Sequence, residues 1–247
     1  MEGTAKKEII KVLRESILKI EGFKSVTNEM DQPDCMLNDM ASAFPYGRFP
    51  TGAIHEFISP TAACATSANG FIAGLLSALM ANGLPCLWIS TKRSLFPAGL
   101  KYYGIEPHQV IFIDVKKNKD ALWVMEQGLK CNAVAVVVAE LNEVSFSESQ
   151  RLQLAVEQSR VTGFLHRKRP HKENTLACVS RWKIRPKKSY IIDDLPGVGF
   201  PMWEVQLEKI RNGKPGKWVF GWRDKQFVSI PLTPLQKIPV LKMEQYG

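Results

Sequence analysis

The chain has 247 residues, 45% hydrophobic and 23% charged, enough for one sizeable domain with a terminal extension and ordinary for a globular protein. Lys plus Arg outnumber Asp plus Glu by 33 to 24, and the net charge of +9 favours polyanionic partners such as nucleic acid. Cys35, Cys64, Cys86, Cys131 and Cys178 are scattered and never paired as CxxC, and His55, His108, His166 and His171 show no metal-ligand spacing with them. This argues against zinc or a disulfide framework and for buried thiols in a reducing compartment.

Residues 4–21, "TAKKEIIKVLRESILKIE", predict an amphipathic helix whose apolar stripe includes Ile10, Leu13 and Ile17. No signal-peptide core precedes it, and no run of about 18 apolar residues marks a membrane span, so the expectation is a cytoplasmic protein without membrane contact. A polar, proline-containing passage follows. The predicted organisation is an N-terminal helix over 1–22, a linker over 23–45, a main domain over 46–232 and a tail over 233–247.

From Gly52 apolar runs alternate with helical patterns. Strands are expected at "AIHEFI", "PCLWIST", "VIFIDV", "AVAVVVAEL" and "VTGFLHR", with helices over 67–82, 95–103, 118–130 and 147–159. Such alternation predicts an α/β domain with a mostly parallel central sheet covered by helices. "AVAVVVAEL" reads as a central strand buried on both faces. After residue 173 the rhythm changes: "TLACVSRWKI", "MWEVQLEKIR", "KWVFGW" and "QFVSI" have no helix between them, and "RNGKPGK" carries hairpin turn chemistry. An antiparallel C-terminal extension on one sheet edge is expected. Trp182 and Trp203 read as core residues.

The stretch "GAIHEFISPTAACATSANGFIAGLLSALMANG" has the frame of a phosphate-binding strand, loop and helix, yet "SPTAACATS" holds neither glycine nor lysine. A working loop reads GxxxxGK[ST]. Here Ser59, followed by Pro60, stands at the first glycine, Cys64 at the second and Ala65 at the lysine; Thr66 keeps the hydroxyl, with Ser67 after it. Losing the lysine alone removes a charge-assisted hydrogen bond worth roughly 1.5–3 kcal/mol. The same stretch also fits an ordinary helix N-terminus capped by Ser or Thr.

The order of these segments resembles the RecA family, and within it the ImuA branch of mutagenesis-cassette proteins. The blocks that carry the resemblance are "FPTGAIHEFISP", "AVAVVVAEL" with "ESQRLQLAVEQSRVTGFLHR", "NTLACVSRWKI" and "GVGFPMWEVQLEKIRNGKPGKWVFGW". It implies a RecA-like three-layer fold. It also places Lys92 where the family has a water-activating carboxylate and Glu140 at the magnesium-side acid. The catalytic parts are therefore expected to be absent, with no cofactor and no metal. Lys92 and Arg93 at the same rim still offer an anion a weak hold.

Between His166 and Lys188 nine Lys or Arg residues face a single acid, Glu173. Arg167, Lys168, Arg169 and Lys172 lie just past a strand, where the resemblance implies a DNA-binding loop. Arg181, Lys183 and Arg185 alternate along the next strand and emerge on one face. The bland alternative is a solvated charged loop. The resemblance implies a nucleoid-associated adaptor in translesion synthesis. Its partners would be an ImuB-like relative of Y-family polymerases, an error-prone replicative-type polymerase, RecA recombinase and DNA, single-stranded by preference. Self-association or RecA docking through Ile10, Leu13 and Ile17 is a further expectation, beside the plainer one that this helix covers its own domain. A RecA-like septation inhibitor and a weak ATPase with displaced cations remain the rival readings.

Overall fold

A computed structural model describes residues 37–190 and 199–230. The predicted N-terminal helix with Ile10, Leu13 and Ile17, most of the linker, and the tail lie outside the described residues.

Nine strands form one sheet: β1 (Ile54–Ser59), β2 (Cys86–Ser90), β3 (Val110–Asp114), β4 (Val136–Leu141), β5 (Thr162–Lys168), β6 (Ser180–Tyr190), β7 (Phe200–Ile210), β8 (Gly216–Arg223) and β9 (Gln226–Ser229). Their spatial order is β3-β2-β4-β5-β1-β6-β7-β8-β9. Strands β1 to β6 pair in parallel, and β6 to β9 pair antiparallel. The architecture is the RecA-like three-layer α/β arrangement expected, with an antiparallel C-terminal extension. β1 and β4 are buried along their whole length, as their apolar runs require.

Helix α1 (Ala62–Leu79) covers one face, and α2 (Asn118–Leu129) with α3 (Phe146–Ser159) covers the other. Phe71 of α1 packs in one cluster with Phe57, Trp88, Trp182, Trp203 and Trp222 of the sheet, the core roles expected for Trp182 and Trp203 among them. On the other face Met125 and Leu129 of α2 pack with Ile54, Ile89, Val137 and Leu165 of the sheet. Over its 18 residues α1 is apolar enough to match a membrane span by length and composition, but 67% of it is buried inside the protein, as in a core helix. Its Ser, Thr and Asn residues break the apolar run in the sequence, which is why no span is read there.

Four segments differ from their sequence reading. α1 starts at Ala62, five residues before the expected 67, because Thr61 caps it directly after the strand. The expected helix over 95–103 is a 3-10 helix, Pro97–Tyr103, ended by Gly104 at φ 81°. β6 begins only at Ser180, so "TLACV" is not strand. Part of the passage read as linker belongs to the core: Leu37, Met40 and Phe44 are buried, and Phe44 lies against Trp182 beside Phe49 of the main domain.

A polar chain crosses the core beside them. The Trp182 indole N–H donates to the Ser180 hydroxyl at 2.6 Å; that hydroxyl meets His55 Nδ1 at 2.7 Å, and His55 Nε2 reaches the Pro50 carbonyl at 2.7 Å. Burial lowers the His55 pKa to about 4, partly opposed by the Pro50 contact.

The close seat of α1 on β8 and β9 needs Gly74, where an added Cβ would come within 2.5 Å of the Phe227 ring and 2.9 Å of Trp222. Gly74→Val is therefore expected to lower stability by about 1–3 kcal/mol through overpacking, read as a fall in the urea midpoint.

Candidate functional site

Only Pro60 and Thr61 separate β1 from α1. The Thr61 hydroxyl accepts the Cys64 N–H at 3.2 Å, and the Thr61 carbonyl accepts the Ala65 N–H at 3.0 Å. The Thr66 hydroxyl donates back to the Ala62 carbonyl at 3.1 Å. Cys64 and Ser67 are buried, Ala65 is half-buried, and Pro60 and Thr66 are exposed. Positive φ occurs at none of these positions. The segment compared with a phosphate loop is thus the capped first turn of a helix, and its amides at 64 and 65 are already used.

Behind that turn, the parallel strands place Asp114, Ser90, Glu140 and His166 side by side near their C-terminal ends. Neighbours in register share a sheet face, so all four point toward α1. Glu140 accepts from Asn69 Nδ2 of α1 at 3.3 Å and pairs with Lys168 Nζ at 2.6 Å. The same ammonium donates to the Lys92 carbonyl and the Ser94 hydroxyl, each at 3.3 Å. Glu140 is fully buried and the Lys168 side chain only 19% exposed. A residue expected on the DNA surface is instead the counter-ion of the buried acid.

The Ser59 hydroxyl shares a 2.8 Å hydrogen bond with His166 Nε2. His166 Nδ1 and Asn69 Oδ1 are buried without a partner among the described residues. Burial, helped by the nearby Lys168 charge, lowers the His166 pKa to about 3. The centre does not fit magnesium and triphosphate. Its acid already faces an ammonium, and a metal there would meet like charge. The turn above it offers no loop of free amides.

Lys92 is exposed at this rim. Arg93 is tied to Asp114 and lies 5.0 Å over the Phe112 ring. Its hydrogen bond holds the Asp114 carboxyl below its usual range.

On the opposite face a second buried acid organises the other expected DNA contacts. Glu56 of β1, 1% exposed, accepts from Arg167 NH1 at 2.9 Å and Arg181 Nε at 2.7 Å. Arg167 is fully buried and also reaches Glu143 at 3.3 Å and the Lys172 carbonyl at 2.8 Å. Lys183 pairs with Glu173 at 2.7 Å and Glu208 at 2.9 Å, and Arg185 with Glu204 at 2.8 Å. The expectation of phosphate contact is corrected for Arg167, which has no surface to offer, and Arg181 and Lys183 are spent internally. Arg169 and Lys172 are exposed and without a salt bridge among the described residues, and Arg185 is 45% exposed.

Sequence reasoning missed Asn69, Ser90, Glu56, Glu143, Glu204 and Glu208. Two signals were available: a His-Glu pair inside the apolar strand "AIHEFI", and Glu204, Gln206 and Glu208 alternating along "MWEVQLEKI" as Arg181, Lys183 and Arg185 do along "SRWKIR".

The fold and its ammonium-filled centre define a RecA-like three-layer α/β protein whose strand–turn–helix entry forms a capped helix rather than a phosphate cradle. By sequence the chain is 31% identical over 188 residues to Protein ImuA of Caulobacter vibrioides, in two strains, a match spanning 71% of this chain and 77% of that protein. No family model matches the chain. The chain belongs to the ImuA family.

Lys168→Met leaves the Glu140 carboxylate buried and unpaired, and is expected to cost roughly 3–5 kcal/mol of stability. Adding Glu140→Gln should recover most of it, which a double-mutant cycle by urea unfolding measures.

His55 and His166 resist protonation in the folded chain, so their contribution is complete above the unfolded value near pH 6.5. Below that the unfolded chain takes up protons that the folded chain refuses. Stability then falls until the folded rings titrate near 4 and 3. Between pH 7 and pH 5 the loss should be about 2 kcal/mol per ring, and smaller in His166→Gln, measured by urea midpoints.

Proposed function

We propose that the protein is a non-catalytic adaptor of damage-induced translesion synthesis, acting within the ImuA/ImuB mutagenesis cassette. The observation that carries this reading is the Lys168–Glu140 pair: a tethered ammonium stands beside the acid that a RecA-like ATPase would turn toward magnesium. Family membership supports the cassette role. Recruitment through contact surfaces then replaces chemistry. The partners on this reading are an ImuB-like relative of Y-family polymerases, an error-prone replicative-type polymerase and RecA recombinase, with the stripe of Ile10, Leu13 and Ile17 as a docking element.

DNA contact is assigned to the end of the sheet where the parallel strands finish. β6 pairs with β1 only over Ser180–Trp182, so its later residues run past the end of β1. They carry Arg185, Lys187 and Lys188 to the side where Arg169, Lys172 and Lys92 are exposed. Among the described residues, all of these except Arg185 lack a salt bridge. Cations presented in this way bind phosphates without reading sequence, and the binding weakens with salt.

Purified protein is expected to bind oligonucleotides with a negative salt slope and to turn over no ATP. Arg169→Ala with Lys172→Ala should reduce that slope by about 2 in filter binding across a salt series. ATP turnover abolished by Glu140→Gln would sink the adaptor reading.

A further inference from the structure

We propose that Phe96 is a stacking platform for a base of single-stranded nucleic acid. The inference rests on the DNA contact proposed above and specifies its substrate form. Phe96 is 73% exposed, the most exposed large hydrophobic side chain among the described residues. Its neighbour Leu95 packs against the core, while Phe96 has extended backbone (φ −88°, ψ 115°) and so turns the opposite way. Pro97 restrains that backbone and starts the 3-10 helix, which holds the ring outward. The ring is presented by the fold, not left loose.

Its surroundings match the chemistry of a nucleotide. Ser94, two residues before, accepts a hydrogen bond from Lys168, and the next residue along the chain from Lys168 is Arg169. Two residues span at most about 7 Å, so the backbone of Phe96 lies within that reach of Ser94, which is bonded to Lys168, with Lys92 four positions back in the chain. Arg169 sits at φ 51°, with its N–H bonded to the Ser59 carbonyl at 2.8 Å, so the turn that carries it is defined. Exposed cations and an outward ring on segments tied together by Lys168 supply the pairing that grips a flexible strand: charge on phosphate, π-face on base. A duplex keeps its bases stacked inside and leaves the ring nothing to cover.

Fluorescence anisotropy with labelled oligo-dT, a duplex of equal length and an abasic strand of equal charge tests this on the full chain. Phe96→Ala should weaken oligo-dT binding by about tenfold, with duplex and abasic affinity and the salt slope unchanged. Phe96→Trp should keep or raise oligo-dT affinity. An unchanged urea midpoint in both variants would show that folding is not the cause. Wild-type affinity of Phe96→Ala for oligo-dT overturns the platform while leaving DNA contact intact. Loss of self-association or of protein partner binding in that variant, without loss of oligo-dT binding, reassigns the ring to a protein interface and also overturns it. Absence of wild-type binding to every oligonucleotide at low salt overturns the DNA reading itself.

Discussion

A carboxylate sealed at the end of a central parallel strand must be neutralised, and the cation that neutralises Glu140 sets the character of this molecule. Here it is Lys168, fixed to the neighbouring strand rather than drawn from solution. The consequence is geometric as well as electrostatic. The same ammonium ties the backbone after β2, through Lys92 and Ser94, to the end of β5. In this chain a side chain of its own, through an ion pair and two hydrogen bonds, holds the two segments together.

The opposite face repeats the solution with a different acid. Glu56 receives two arginines, one from each strand flanking β1. Arg167 and Lys168 are consecutive, yet alternation along β5 sends them through opposite faces to separate buried carboxylates. The two pairs share one strand and brace it from both sides. Such pairs contribute little net stability against a hydrophobic alternative, but losing one partner is costly because the other charge stays buried. Within the basic run after β5, Arg169, Lys172, Lys187 and Lys188 are exposed and carry no salt bridge among the described residues.

Much of the fold was legible. The continuous apolar runs of β1 and β4, the switch of rhythm after residue 173 and the hairpin turn between β7 and β8 follow from local rules of pattern and turn chemistry. The site was legible at the level of which residues matter, and less so in what they do. "HRKRPHKEN" reads as a basic loop because nothing nearby in sequence offers it a buried acid. The acids that claim its cations lie 111 residues away at Glu56 and 28 residues away at Glu140.

The start of α1 shows the same division at close range. "SPTAACATS" excludes a glycine-built cradle through composition alone, since side chains there disfavour the left-handed backbone such a loop uses. Whether the segment would be an open loop or a helical turn depended on Thr61 capping the chain immediately beyond β1, which only the packed sheet positions. Secondary structure, core residues and the lack of glycine and lysine in this loop are short-range properties, written in neighbouring side chains. Which charges face water and which face each other is a long-range property, because the cost of burying an ion is met only by partners that folding brings together.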